Sequence, residues 1–358
     1  MIKKSFSLVL VLLVFFSCKS TVGSIKTKTA KVNTTAIHFL NKENIPGMAI
    51  SVSKNGKLIW SQGFGYANLE TQTKVSPKTT LFRIASISKP ITAFALGLLA
   101  DDGKIDLDES LYHYLPNYPR KQYDFTLRQL GGHTAGIRHY RDNEFMLNEA
   151  LSITEGLAIF KNDSLLFKPL SDYKYSTYGF NLLSEVIQTV AKKPFINYVE
   201  SNIFKPLEME FTGLDVADSN MPNRTQFYVK NGTDKVILGP AVNNEYKVAG
   251  GGFLSTSEDL IRFGNEIIVP TLISSATLKE LLTSQVLDSG KPTHYGTGFG
   301  IGKTKKNTPK YNHSGGGVGA STLLLIYPTE RMVISILTNL SGVPIFDIGE
   351  RLEAIFVN

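Results

Sequence analysis

Ser86-Ile87-Ser88-Lys89 holds the most reactive pairing of side chains in this chain. A serine and a lysine three apart share one face of a helix, where side chains at i and i+3 are neighbours. The amine can take the hydroxyl proton once burial or a nearby cation lowers its pKa. That is the chemistry of a serine nucleophile with a lysine base. The same spacing recurs at Ser51…Lys54 and Ser171…Lys174, and context separates the three. Residues 48–53 alternate as a strand, which sends Ser51 and Lys54 to opposite sides. Ser171…Lys174 lies in a loop after Pro169. Only Ser86 is followed by a helical run, Ile91 to Ala100, that is apolar nearly all round and therefore buried.

Two further segments hold groups that could work beside this pair. In Tyr175-Ser176-Thr177 the phenol either packs in the core or shuttles protons near an amine. His313-Ser314-Gly315-Gly316-Gly317 is either a glycine-rich turn or a strand edge. Such an edge offers a backbone N–H to a developing oxyanion. Gly132-His133-Thr134-Ala135-Gly136 reads as a structural turn. Gly250-Gly251-Gly252 reads as a cleft wall or a tight turn.

The elements that must position these groups fall into three blocks. A short helix at Ala36–Leu40 precedes strands at Gly47–Ser53 and Lys57–Trp60, joined by Lys54-Asn55-Gly56; Asn-Gly between apolar runs signals a hairpin. Residues from about 102 to 290 are mostly helical, with helices at Tyr178–Val190, Pro194–Ile203 and Ser257–Ile268. Ser255-Thr256-Ser257-Glu258 has the form of a capping box for the last. Strands return at Gly298–Ile301, Ser321–Tyr327 and Met332–Thr338, before a final helix at Phe346–Ile355. The expected fold is α+β. An antiparallel sheet is assembled from both chain ends and flanked by helices, with a mainly helical lobe inserted and a cleft at the junction.

The 358 residues, 42% of them hydrophobic, suffice for a large core. The net charge of +7 is scattered rather than striped, which argues against nucleic acid as a partner. No Cys/His metal spacing and no Gly-x-Ser-x-Gly elbow occurs, so no metal or cofactor is expected. At the N-terminus Lys3 and Lys4 precede an apolar run from Phe6 to Phe16, the pattern of a secretory signal too short to span a bilayer. The single cysteine, Cys18, sits at the expected cleavage point, where Phe15-Phe16-Ser17-Cys18 resembles a lipobox. Residues 1–18 therefore read as a lipoprotein signal and 19–35 as a flexible tether reaching about 50 Å at about 3.3 Å per residue. The body, 36–358, would work outside the cytoplasm, held to a bacterial membrane through lipid on Cys18.

Taken in order, Ser-x-x-Lys at a buried helix start, Tyr-x-Thr in the inserted lobe and His-Ser-Gly on a late strand resemble the three motifs of the serine β-lactamase and penicillin-binding protein superfamily. The likeness is closest to its β-lactamase-related branch, the mitochondrial serine β-lactamase-like proteases and their bacterial relatives. It extends through Arg83–Lys89, Gly136–Tyr140, Leu166–Pro169, Tyr175–Gly179, Ala249–Thr256 and His313–Gly316.

The resemblance implies that Ser86 is acylated, that Lys89 is its base, and that Tyr175 relays the proton to the leaving group. It puts the oxyanion between the backbone N–H groups of Ser86 and Gly316, and Thr177, His313, Ser314 and Gly315 beside the substrate. Thr177 stands where many relatives carry Asn, and His313 where penicillin-recognising enzymes carry Lys. A hydroxyl offers fewer hydrogen bonds than an amide, and a neutral histidine holds a carboxylate less firmly than lysine. The expected activity is thus a serine hydrolase working through an acyl-enzyme on a peptide or ester. The alternatives are a β-lactamase or D-alanyl carboxypeptidase, and a non-catalytic cell-wall or peptide receptor.

Overall fold

The computed structural model describes residues 19–217 and 221–357, with side chains from residue 28 onward. Cys18 and the expected signal lie outside the described residues. The main sheet has seven strands. Three come from the first part of the chain: β1 (Gly47–Lys54), β2 (Lys57–Asn68) and β3 (Thr73–Lys74). Four come from the last: β4 (Gly300–Lys303), β5 (Pro309–Gly317), β6 (Ala320–Tyr327) and β7 (Met332–Thr338). Their order is β3-β2-β1-β7-β6-β5-β4, so the two chain ends meet where β1 pairs antiparallel with β7, Ile50 opposite Ile336. The expected architecture is therefore present, with the Asn55-Gly56 hairpin joining β1 to β2.

Strands β1, β6 and β7 are buried on both faces. Period-two alternation sends Met48, Ile50 and Val52 to one side, with Ile334 and Ile336 beside them. Helices α1 (Lys19–Lys42) and α5 (Ile345–Phe356) cover that side. Ala49, Leu324, Val333 and Leu337 face the other way, into the larger core. There the sheet meets α2 (Ser88–Asp101), α3 (Thr177–Ala191) and α4 (Ser257–Ile268).

Three local expectations change. Residues 19–35, read as a flexible tether, are helical and form most of α1. Val32, Ala36 and Phe39 recur at helical spacing on one buried face, and the polar residues between them hid the period. Burial of a phenylalanine such as Phe39 stabilises the fold by about 1.5–3 kcal/mol, enough to dock the last turns. The N-cap of α4 falls one residue later than expected, and it is a single cap rather than a reciprocal box. Thr256 is the N-cap and its hydroxyl accepts from Asp259 N at 3.1 Å, while Ser255 ends a short strand. Finally, α4 flanks the sheet rather than joining the inserted lobe. The Ser51 and Ser257 hydroxyls are 2.8 Å apart, and a Cβ at Gly264 would lie 2.4 Å from Val333.

Candidate active site

Ser86 sits in a tight 3-10 turn, Ala85–Ile87, that leads directly into α2. The residue before it, Ala85, is held at φ = 47°, a left-handed conformation that costs a residue with a Cβ about 1 kcal/mol or more. Strands β5 and β6 keep the turn in place. The Thr322 hydroxyl donates to Ile84 O at 2.9 Å, and a Cβ at Gly315 would come within 2.3 Å of that same carbonyl. Gly315 is therefore the residue that lets β5 lie against the serine turn.

Lys89, one turn further along α2, is fully buried. Its Nζ stands 3.1 Å from Ser86 Oγ, 3.1 Å from Thr177 Oγ1 and 2.6 Å from Gly250 O. Burial holds its pKa well below the ordinary lysine value. A neutral amine has two N–H groups and one lone pair. Gly250 O can only accept, and the Thr177 hydroxyl can accept the second N–H. That leaves the lone pair for the Ser86 proton, the arrangement a general base needs. Gly250 reaches the amine because it packs against α3, where a Cβ would lie 2.4 Å from Thr177 Cγ2. The Thr92 hydroxyl pins the short helix that carries Gly250, Val248–Gly251, by donating to Ala249 O at 2.8 Å.

The Tyr175 phenol hydrogen-bonds with Ser86, and burial pushes its pKa well up, so it keeps its proton at neutral pH. Its ring centroid lies 4.7 Å from Lys89 Nζ. The turn at Gly132–Gly136 does more than reverse the chain: it carries this tyrosine. His133 O accepts from Lys174 N, and His133 Nδ1 accepts from Ser176 N at 3.1 Å. The His133 ring lies 4.4 Å from that of Tyr175. The Ser176 hydroxyl donates to Arg138 O, and Arg138 is itself clamped by Glu144 and Asp163.

One site expectation changes: His313, expected beside the substrate, is buried and both its ring nitrogens are spent inside the protein. Nδ1 donates to Ser314 O at 2.6 Å, and Nε2 accepts from the Tyr295 hydroxyl at 2.8 Å. Burial, with the nearby Lys89, lowers its pKa to about 3, so it is neutral. Thr177 lines the cleft, and its hydroxyl accepts from Lys89 Nζ at 3.1 Å.

Strand β4 pairs with β5 only through Pro309–Asn312, so the edge beyond Asn312 has no neighbouring strand. That edge, with Gly316 and Gly317, forms one wall of a cleft of about 350 Å³ with Ser86 on its floor. His139, Tyr140 and Lys247 line the same cleft. His139 Nδ1 accepts from Thr177 N at 3.1 Å, and burial lowers its pKa to about 4. Arg83 lines the cleft as well, paired with Asp215 at 2.6 Å. His139 lies inside a motif already singled out, whereas Lys247 is a lone lysine that no sequence pattern marks. The other two Ser-x-x-Lys spacings form no site: Ser51 is buried under α4 while Lys54 is exposed, and Ser171 and Lys174 are both exposed.

Known proteins share this architecture. The Beta-lactamase family model matches residues 32–356. The human mitochondrial serine beta-lactamase-like protein LACTB is 30% identical over 82% of this chain and 71% of its own length. An octameric penicillin-binding protein homologue from Pyrococcus abyssi superposes with a TM-score of 0.79 at 22% identity, covering 92% of this chain and 77% of its own. A D-stereospecific amidohydrolase from Streptomyces sp. superposes with a TM-score of 0.78 at 24% identity, covering 91% of this chain and 98% of its own. With the family model spanning the sheet, the serine turn and the inserted lobe, the chain belongs to the β-lactamase family of serine hydrolases.

Proposed function

We propose that this hydrolase acts through an acyl-enzyme on Ser86 and that its substrates are peptides or simple esters rather than penicillins. One observation carries the reading. A lysine without an ion-pair partner among the described residues is buried 3.1 Å from the serine hydroxyl, as a neutral base must be. Ser86 Oγ attacks the substrate carbonyl while its proton passes to Lys89 Nζ. The backbone N–H groups of Ser86 and Gly316 receive the oxyanion. Tyr175, protonated throughout, relays a proton toward the leaving group. Water then attacks the acyl-enzyme and releases the acid. A neutral His313 turned inward gives β5 no charge with which to grip a penicillin carboxylate. Loss of a charge-assisted hydrogen bond weakens binding by about ten- to a hundred-fold.

The test is intact-mass detection of the acyl adduct on Ser86 after exposure to matched esters, blocked peptides and penicillins. Adducts and turnover with the first two are expected. An adduct with penicillins alone would move the β-lactamase or carboxypeptidase reading ahead. Absence of any adduct would favour the receptor reading.

The same proposal includes a lipid anchor at Cys18, supported by the apolar run before it. No helix among the described residues is long and apolar enough to cross a membrane. Two or three acyl chains would hold the protein stably where one would not. Because α1 begins at Lys19, the spacer would be a helix of about 1.5 Å per residue, keeping the body within about 20 Å of the surface. Cys18→Ser is expected to release the protein from the membrane fraction. Unchanged membrane retention would refute the anchor.

A further inference from the structure

The cleft lining holds a lysine that the acyl-transfer machinery leaves unused. Lys247 is 4% exposed, yet it lines the cleft that contains Ser86. Its ammonium makes one hydrogen bond among the described residues, donating to Phe145 O at 2.5 Å. The rings of Tyr140 and Tyr246 flank it at 5.6 and 5.4 Å from their centroids. The acid that acts on it, Asp215, is committed elsewhere. Asp215 is held by Arg83 at 2.6 Å, by Asn244 at 2.7 Å and by Arg224 at 3.4 Å. A nearly buried ammonium with N–H groups to spare and a carbonyl as its partner is an incomplete site, and a carboxylate entering the cleft would complete it.

We infer that Lys247 is the anion-recognition group of this hydrolase, selecting esters or amides that carry a second, free carboxylate away from the scissile carbonyl. The inference rests on the acyl-enzyme reading and adds the substrate's charge to it. It also moves charge recognition from β5, where His313 is neutral and occupied, to the segment that carries Lys247. The groups around the amine set its behaviour. Burial and, to a lesser degree, the Arg83 guanidinium lower the Lys247 pKa to about 7, with Asp215 opposing both. Tyr140 and Tyr246 carry no charge, since burial raises both phenols. Glu144 is neutralised by Arg138, and Asp142 stands exposed on the rim. The lysine is therefore charged below about pH 7 in the free enzyme and loses its charge above it.

The experiment compares kcat/KM for p-nitrophenyl monoesters of succinic, glutaric and adipic acid with uncharged p-nitrophenyl esters of the same chain lengths. Because kcat/KM reports the free enzyme, the ratio of charged to uncharged ester isolates this group from the shared chemistry. For at least one chain length the wild type is expected to favour the charged ester ten-fold or more at pH 6. That preference should fall toward unity as pH rises through 7 to 8.5. Lys247→Arg, charged at every pH, should keep the preference at pH 8.5. Lys247→Met should lower the ratio at pH 6 at least ten-fold. Turnover of uncharged esters with no charge preference at any pH overturns the anion site and leaves the hydrolase standing. So does a preference that Lys247→Met retains. Failure of every ester to acylate Ser86 overturns the hydrolase, and the anion site with it.

Discussion

Lys89→Met is expected to lower the rate of Ser86 acylation by at least about a thousand-fold while raising the stability of the fold. General-base removal alone costs about 10²- to 10⁴-fold. Here the serine also loses the partner that orients it at 3.1 Å. Methionine keeps the unbranched apolar stem in the buried site and removes the amine that burial penalises. The sign of the stability change follows from linkage. The Lys89 pKa is lowered in the folded protein, so the unfolded chain binds the extra proton at every pH between the folded value and about 10.4. The wild type is destabilised throughout that window and recovers as pH rises past it. Melting temperatures of wild type and variant should thus differ at pH 7 and converge above about pH 10. Single-turnover acylation measured with the intact-mass assay supplies the second readout. Near-normal acylation by folded Lys89→Met would remove the lysine from the mechanism.

Tyr175→Phe is expected to lower kcat by about a hundred- to a thousand-fold with KM changed only a few-fold. The ring would keep its contacts with His133 and Lys89, so the loss reads the phenolic O–H alone. Burial raises the phenol's pKa, so it works as a proton donor and relay rather than as a phenolate base. The acid limb of the pH–rate profile should therefore belong to Lys89 and stay in place in the variant. A kcat within three-fold of wild type would reduce Tyr175 to a packing residue beside the serine.

Much of the scaffold is legible in local patterns. Strand β1 shows its strand alternation, with Ile50 and Val52 set between serines, before the Asn55-Gly56 turn, and α2 is apolar nearly all round because it is buried nearly all round. Helix α3 differs from its expected span by one residue at each end, with Ser176 supplying the N-cap oxygen to Gly179 N. Where local reading fails, a neighbour distant in sequence decides. The helical period of Val32, Ala36 and Phe39 is diluted by Lys, Asn and Thr, and becomes visible only against the sheet that buries it. The placement of α4 on the sheet depends on Ser51 and Val333, far off in the chain.

The chemistry of this protein was present in the order and spacing of its residues: Ser86 and Lys89 one helical turn apart, Tyr175 before a capped helix, and a glycine-rich strand edge at Gly315–Gly317. Side-chain spacing within an element is a local property, and a period of 3.6 or 2.0 carries it in the sequence itself. The charge state and direction of those groups belonged to the tertiary structure. Burial lowers the Lys89 pKa, with Gly250, 161 residues away, packed on its amine, and His313 turns inward where Tyr295 and its own strand occupy its nitrogens. Lys247 lines the cleft without an ion pair among the described residues, while Arg83 and Asn244 hold Asp215. Desolvation and partner occupancy are sums over everything that surrounds a group, and only the folded chain assembles those surroundings.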